Sequence, residues 1–427
     1  MIKVFLECYG CTANFGDYEI ALGLLEKAGF EIASSPKDSD LNIILTCAVK
    51  TPTEHRMIYR IRELSKTNKP LIVAGCMTKI NKKLVEKINS TASLIGPDSL
   101  IKIADVVKKT LDEKKVVMLD KLSEEKVMLP HVRTNPVIDI VQVSTGCSSF
   151  CSFCATKLAR GGLFSYRPHS IREQIKKSLE EGVKEIWLTS QDISAYGKDI
   201  KTNLPDLLES IVNIEGDFFV RVGMMNPLNL KKSEIEKLVE IYKNPKIFKF
   251  LHLCVQSGSD KILKIMRRDY RVDDFVYYVE KFKEKIPNLT LSTDVIVGHP
   301  GEDENDFNET VELIKKIEPD IVNISKFGIR PSTPAAKMKQ IDKKIINERS
   351  KKITKIVNEI SLKKNKKWLG WEGNVLVDEK KEKGFQGRNY AYKPIVLKGD
   401  FELGSLVDVR IVDVKTNYLI GKSLEKL

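Results

Sequence analysis

Apolar and polar positions along this chain repeat with two different periods. In the first hundred residues, short apolar runs alternate with stretches of helical spacing. IKVFLE reads as a strand, residues 14–28 as a helix ending at Gly29, LNIILT as a second strand and residues 52–65 as a second helix. PLIVAG is a third strand, followed by a helix over 81–88. Strands alternating with helices predict a doubly wound parallel sheet. Residues 101–135 are Lys-rich, with Pro130 inside and Pro136 just after, and read as a linking helix and an extended crossing segment. A second α/β run starts at VIDIVQVS and continues through EIWLTS, FFVRVG, FKFLHLCV, LTLSTDVIV and DIVNISKF. Five or six such units predict a partial or complete (β/α) barrel. Residues 341–367 are helical and basic. Beyond Trp368 the pattern changes to short strands with glycine turns (GNVLVDE, AYKPIVLK, LVDVRIVDV, YLIGKSL), which suits a small all-β barrel. The expected domains are 1–110, 132–365 and 366–427.

Composition adds three constraints. At 427 residues with 42% hydrophobic and 30% charged positions, the chain is a soluble globular protein with more than one core. No apolar run is long enough to span a bilayer, and MIKVFLECYG reads as a first strand and not as a signal peptide. The expected location is the cytoplasm, without a membrane partner. The net charge of +13 fits a polyanionic partner, although lysine-rich surfaces also serve solubility. Eight cysteines in a long chain without a secretion signal point to metal or catalysis before disulfides.

Three of those cysteines stand together in Cys147-Ser-Ser-Phe-Cys151-Ser-Phe-Cys154, directly after a predicted strand. Three thiolates so spaced can bind three irons of a 4Fe–4S cluster and leave the fourth iron open to a small molecule. Zinc wants a fourth ligand, and the nearest His, His169, lies behind a proline. Cys11, Cys47 and Cys76 are distant in sequence, but each follows a predicted strand of the first sheet. All three therefore fall at its carboxyl edge, where open α/β sheets bind ligands. They can hold a second cluster or be three buried structural thiols. Cys8 competes with Cys11, which Gly10 favours by giving a turn. Cys254, within LHLCVQSGS, reads as core.

The CxxxCxxC motif, with Phe150 and Phe153 before its second and third cysteines, resembles the signature of the radical S-adenosylmethionine (SAM) superfamily. YGCTANFGDYE, LTCAVK (with Lys50 where Thr is commoner), AGCM, ARGG (Ala159–Gly162), SQD (Ser190–Asp192), HLCVQSGSDKILKIMRRDY and TDVIVGHPGE together resemble the methylthiotransferase family. The resemblance runs nearly end to end, with Cys254 where Pro is commoner and His299 where Phe is commoner. Its C-terminal piece resembles the RNA-binding TRAM barrel. The resemblance implies two 4Fe–4S clusters, on Cys147, Cys151 and Cys154 and on Cys11, Cys47 and Cys76. It also implies SAM in two roles, as methyl donor and as radical source. Attack on an unactivated C–H needs such a cofactor.

LTSQDISAYGKD most resembles the archaeal and eukaryotic branch that thiolates threonylcarbamoyladenosine beside the anticodon of tRNA, at C2. Isopentenyladenosine in tRNA and an aspartate of a ribosomal protein are the alternatives within the family. A non-enzymatic RNA-binding protein with structural metal sites is the alternative outside it. The family further implies a flavodoxin- or ferredoxin-like electron donor and a sulfur donor. Gln191, Gln256, Asp294 and Gly298 lie at or near strand ends and are the candidate SAM contacts; His299 reads as a loop residue. Arg160, Arg167 and Arg330 are candidates to grip the threonyl carboxylate. Tyr166, Tyr196 and Phe327 can be core or a stacking platform for the base.

Overall fold

The apolar runs that open the chain become one parallel sheet in the computed structural model, which describes residues 1–47 and 51–424. Ala48, Val49 and Lys50 of the LTCAVK segment lie outside the described residues. Strands β1 (Lys3–Cys8), β2 (Glu31–Ile32), β3 (Leu41–Thr46), β4 (Leu71–Gly75), β5 (Ser93–Ile95) and β6 (Val117–Met118) lie in the order β2-β1-β3-β4-β5-β6, all parallel. Every residue of β3 and β4 is buried, because helices cover both faces. Val4, Leu6, Ile43, Leu45 and Ile72 meet helices Thr12–Lys27 and Ile103–Leu111 on one face. Ile44, Val73 and Leu94 meet helix Thr51–Ser65 on the other. The segment expected to link and cross contributes the edge strand β6.

The second α/β run supplies β7 (Ile138–Gln142), the short pair β8 (Ser144–Thr145) and β9 (Phe164–Ser165), then β10 (Glu185–Thr189), β11 (Phe219–Val222), β12 (Phe250–His252), β13 (Thr290–Val297) and β14 (Ile321–Lys326). Strands β7, β10 and β11 form one parallel ladder and β12, β13 and β14 another. Isolated bridges Val220–Ile247 and Met225–Leu253 join the two ladders. No ladder among the described residues closes β14 onto β7, so the barrel is partial. Its interior and the helices outside share one apolar core.

Helix Lys343–Lys366 packs against β14 and leads into β15 (Glu372–Lys381), β16 (Gly384–Arg388), β17 (Pro394–Leu397), β18 (Leu406–Val414) and β19 (Leu419–Ser423). These five close as β15-β16-β17-β19-β18 around Trp368, Val375, Val377, Ile395 and Val409. Tyr392 carries this barrel onto Phe248 and Phe250 of the central unit. Lys393 Nζ, buried, reaches Asp320 at 2.7 Å across the same junction.

Candidate functional site

Cys147, Cys151 and Cys154 sit half-buried in the loop that leaves β8, at the carboxyl end of the central strands. Backbone N–H groups point at two of the sulfurs: Ser149 N donates to Cys147 Sγ at 3.4 Å and Thr156 N to Cys154 Sγ at 3.4 Å. Arg268 Nη1 lies 3.9 Å from Cys151 Sγ. Burial pushes the Cys147 thiol up to about 12, with Asp192 adding to the effect. Burial also raises Cys151, opposed by Arg268. Bare Cys147 and Cys151 are thus protonated at neutral pH, and a bound metal would draw them to thiolates.

The loop stands on a polar floor that sequence reading missed. Asp192 Oδ1 accepts from Ser194 N and Oγ and from Asn226 N, and its Oδ2 accepts from Asn229 Nδ2 at 2.5 Å. Asn226 Nδ2 donates to Ser149 Oγ within the cysteine loop. Arg268 Nη2 donates to Asn226 Oδ1 at 2.6 Å and to the Cys254 carbonyl at 2.7 Å. His299, expected as a loop residue, is fully buried beneath the same loop. Its Nδ1 faces the Pro300 carbonyl at 2.8 Å and its Nε2 faces the Ser152 hydroxyl at 3.3 Å. Its ring packs edge-on to Phe153 and Phe327. Of these residues, Asp192 and Arg268 stood in motifs already singled out, but nothing local marked them as buried.

Cys11 caps helix Thr12–Lys27 after β1, Cys47 follows β3 directly, and Cys76 opens helix Cys76–Ile80 after β4. The order β2-β1-β3 makes the gap between β1 and β3 the switch point of the sheet, where ligands of such folds bind. A hydrogen bond from Cys47 draws the Cys11 thiol down to about 6, helped by Arg160. Cys76 is raised by burial, against the pull of Arg160. Gly10 lets this approach happen: at φ 142°, a Cβ there would lie 2.7 Å from Cys47 Cβ. Cys8 instead turns to Asn14, its Sγ 3.5 Å from the Asn14 carbonyl.

Arg160 joins the two cysteine sets. It ends helix Thr156–Arg160, just past Cys154, and that helix packs on helix Cys76–Ile80. The guanidinium is buried, and its Nη2 donates to Asp17 Oδ2 at 2.7 Å. The helix that follows Cys154 therefore packs on the helix that Cys76 opens. In neither cysteine set do the three ligand atoms converge within 4.8 Å; among the described residues only His252, Cys254 and Asp294 do. A single tetrahedral zinc ion would need sulfurs about 3.8 Å apart. The wider spacing, the N–H donors on the sulfurs and the Arg160 Nη1, buried without a hydrogen-bond partner of good geometry among the described residues, fit a polynuclear sulfide cluster better than one ion.

The other candidates fall in different places. Asp294 Oδ2 accepts from His252 Nε2 at 2.8 Å and from Cys254 Sγ at 2.5 Å. Burial would raise this carboxyl, but His252 and Cys254 hold it below its ordinary value. Cys254 is buried as expected, with its thiol committed to that carboxylate. Gln256 takes φ 72° and pairs with Asp294 and Ile296 through its backbone. Gln191 keeps a buried side-chain oxygen without a partner among the described residues. Gly298 faces helix Lys343–Lys366: a Cβ there would lie 2.4 Å from Ile346 Cγ1. Arg160 is paired with Asp17, Arg167 with Glu125 at the surface, and Arg330 with Glu54. Tyr166 and Tyr196 are core, with Tyr196 Oη donating to the Tyr166 carbonyl, and Phe327 is half-buried.

Residues 141–314 match the radical SAM superfamily, and residues 3–96 match the uncharacterized protein family UPF0004. The whole chain is 39% identical to the probable threonylcarbamoyladenosine tRNA methylthiotransferase of Pyrococcus horikoshii, over 99% of each chain. The chain belongs to this methylthiotransferase family. The Homo sapiens member, threonylcarbamoyladenosine tRNA methylthiotransferase, is 35% identical over 98% of this chain and 74% of its own length. Among solved structures, the radical SAM methyltransferase TsrM from Kitasatospora setae, with cobalamin and a 4Fe–4S cluster bound, superposes with a TM-score of 0.60 at 13% identity, covering 79% of this chain and 74% of that one. At that identity the likeness is one of fold. As a methylthiotransferase of the radical SAM superfamily the chain is an enzyme, and its fold is one that works with a 4Fe–4S cluster and SAM. No helix among the described residues is long and apolar enough to cross a membrane.

Proposed function

We propose that this enzyme converts N6-threonylcarbamoyladenosine beside the anticodon of tRNA to its 2-methylthio derivative. The observation that carries the reading is the end-to-end identity of 35–40% with relatives named for that reaction, archaeal and human alike. The contact between the helix after Cys154 and the helix that Cys76 opens, with Arg160 held by Asp17 at that contact, supports it.

Cys147, Cys151 and Cys154 would hold the radical-generating 4Fe–4S cluster, and Cys11, Cys47 and Cys76 a second one that presents sulfur. With SAM bound, the first would supply a carbon-centred radical able to take hydrogen from an aromatic C–H, and the second would supply the sulfur that replaces it. The chain's own work is placement and charge. Arg268 offsets negative charge at Cys151 and is itself fixed by Asn226 and the Cys254 carbonyl. The Asp192–Asn226–Asn229 floor and His299 keep the loop from moving. Asp294, held ionised, and Gln191 and Gln256 at the strand ends offer polar groups for the nucleoside of SAM; Gly298 keeps the following turn close to the helix behind it. The partners are tRNA, a flavodoxin- or ferredoxin-like electron donor and a sulfur donor, in the cytoplasm.

Mass spectrometry of tRNA nucleosides from cells with and without the gene tests this. Loss of the methylthio derivative with accumulation of threonylcarbamoyladenosine is the expected result. Loss at isopentenyladenosine instead would move the substrate within tRNA. Intact tRNA modification would overturn the tRNA reading and turn attention to a ribosomal-protein aspartate.

A further inference from the structure

One buried cation lies beside the N-terminal cysteine set. Arg160 is 1% exposed and lies between the two cysteine sets. Its Nη2 is spent on Asp17 Oδ2, while Asp17 Oδ1 accepts from Lys126 Nζ at 2.6 Å and Gln142 Nε2 at 3.0 Å. Asp17 is shared between Arg160 and Lys126, and Asp98 lies beside Lys79. Its Nη1 is buried and has no hydrogen-bond partner of good geometry among the described residues, while the guanidinium pulls on the Cys76 thiol beside it. A buried charged donor without such an acceptor is unfavourable and calls for an anion. The guanidinium also acts electrostatically on Cys76 and Cys11. Because Asp17 fixes one arm of a planar fork, the other arm is aimed, which a lysine in the same place could not reproduce.

We propose that Arg160 is a positioning residue for the sulfur source: its Nη1 donates an N–H···S hydrogen bond to a sulfide of the group held by Cys11, Cys47 and Cys76. This rests on the reading that those cysteines hold a second cluster. The residue comes from the central unit and grips a group in the N-terminal one, so it ties the sulfur to the radical site that Cys154 begins. A positive charge and an N–H donor at a cluster sulfide stabilise the reduced, more negative state and raise the reduction potential.

The test uses the full chain with Cys147, Cys151 and Cys154 all replaced by Ala, so that only the N-terminal set can carry iron. After anaerobic reconstitution with iron and sulfide, iron content is measured and the midpoint potential is read by EPR-monitored titration. Arg160→Gln should shift the midpoint to a more negative value, and Arg160→Lys, which keeps the charge opposite Asp17 but loses the aimed donor, should shift it part of the way. An unchanged midpoint in a folded Arg160→Gln protein overturns the proposal. If Arg160→Gln does not fold, Arg160→Lys decides alone: a midpoint equal to the parent's overturns the proposal. A parent that binds no iron removes the second cluster, and that failure is distinct from an iron-bearing parent whose potential ignores Arg160.

Discussion

His299 shows how a single side chain supports the cysteine loop. Burial draws its imidazole down to about 4 from an ordinary 6.5. The neutral ring packs against Phe153 and Phe327 and meets the Ser152 hydroxyl. His299→Phe keeps the packing and loses both ring hydrogen bonds, to the Pro300 carbonyl and the Ser152 hydroxyl, at a cost of about 2 kcal/mol. His299→Ala leaves a hole under the loop and should cost about 3 kcal/mol. The sign of the pH effect follows from proton uptake. Below pH 6.5 the unfolded chain protonates this ring and the folded one does not, so stability drains away as pH falls toward 4. The full loss is about 3 kcal/mol, and His299→Phe should lack it, as denaturant titration of both proteins at pH 7.5 and 5 will show. The positions of Cys11, Cys47 and Cys76 after strands were legible, because strand ends are marked by a change of hydrophobic period. The burial of His299, Asp192 and Arg268 was not, because their partners lie on distant strands and no local spacing encodes that.

Helix Lys343–Lys366 carries a second dependence. Its Arg349 Nη1 donates to Glu302 Oε1 at 2.7 Å, and Glu302 in turn accepts from Gly298 N at 3.1 Å, so the helix braces the GHPGE turn. Burial raises the Glu302 carboxyl to about 7, opposed by the Gly298 N–H and by Arg349. Arg349→Ala removes the cation and should destabilise the protein by about 3 kcal/mol at pH 8. The loss should shrink at pH 6. A carboxyl whose folded pKa is raised is neutral there, whereas ionisation favours the unfolded chain as pH rises above about 4.5. Thermal unfolding at the two pH values, with Arg349→Ala/Glu302→Gln recovering most of the loss, checks this. Long periodic elements such as this helix were legible. The short strands Glu31–Ile32, Ser93–Ile95 and Val117–Met118 were not, since two or three residues show no period. Gly384–Arg388 was missed for its composition, although its burial alternates along the strand.

At the scale of the molecule, the three-part order along the chain was legible, while the strand order that puts Cys11 and Cys47 at a switch point depends on crossovers that no spacing encodes. The excess of +13 belongs to this scale too. Lys352, Lys363 and Lys364 of helix Lys343–Lys366 meet the carboxylates of Glu304, Glu318 and Asp320, but Lys355 and Lys366, with Lys367 just past the helix end, stand exposed. If these three follow tRNA phosphates, the triple change to Glu should weaken binding of every tRNA alike and lower the slope of log affinity against log salt by about 3. Anisotropy of labelled tRNA across a KCl series measures that slope. The same variant, at saturating tRNA, should keep its kcat while KM rises, because phosphate contacts far from the reacting carbon bind ground state and transition state equally. A fall in kcat with an unchanged slope would instead show that the helix works only through its grip on the Gly298–Glu302 turn, and would place the RNA on another face of the protein.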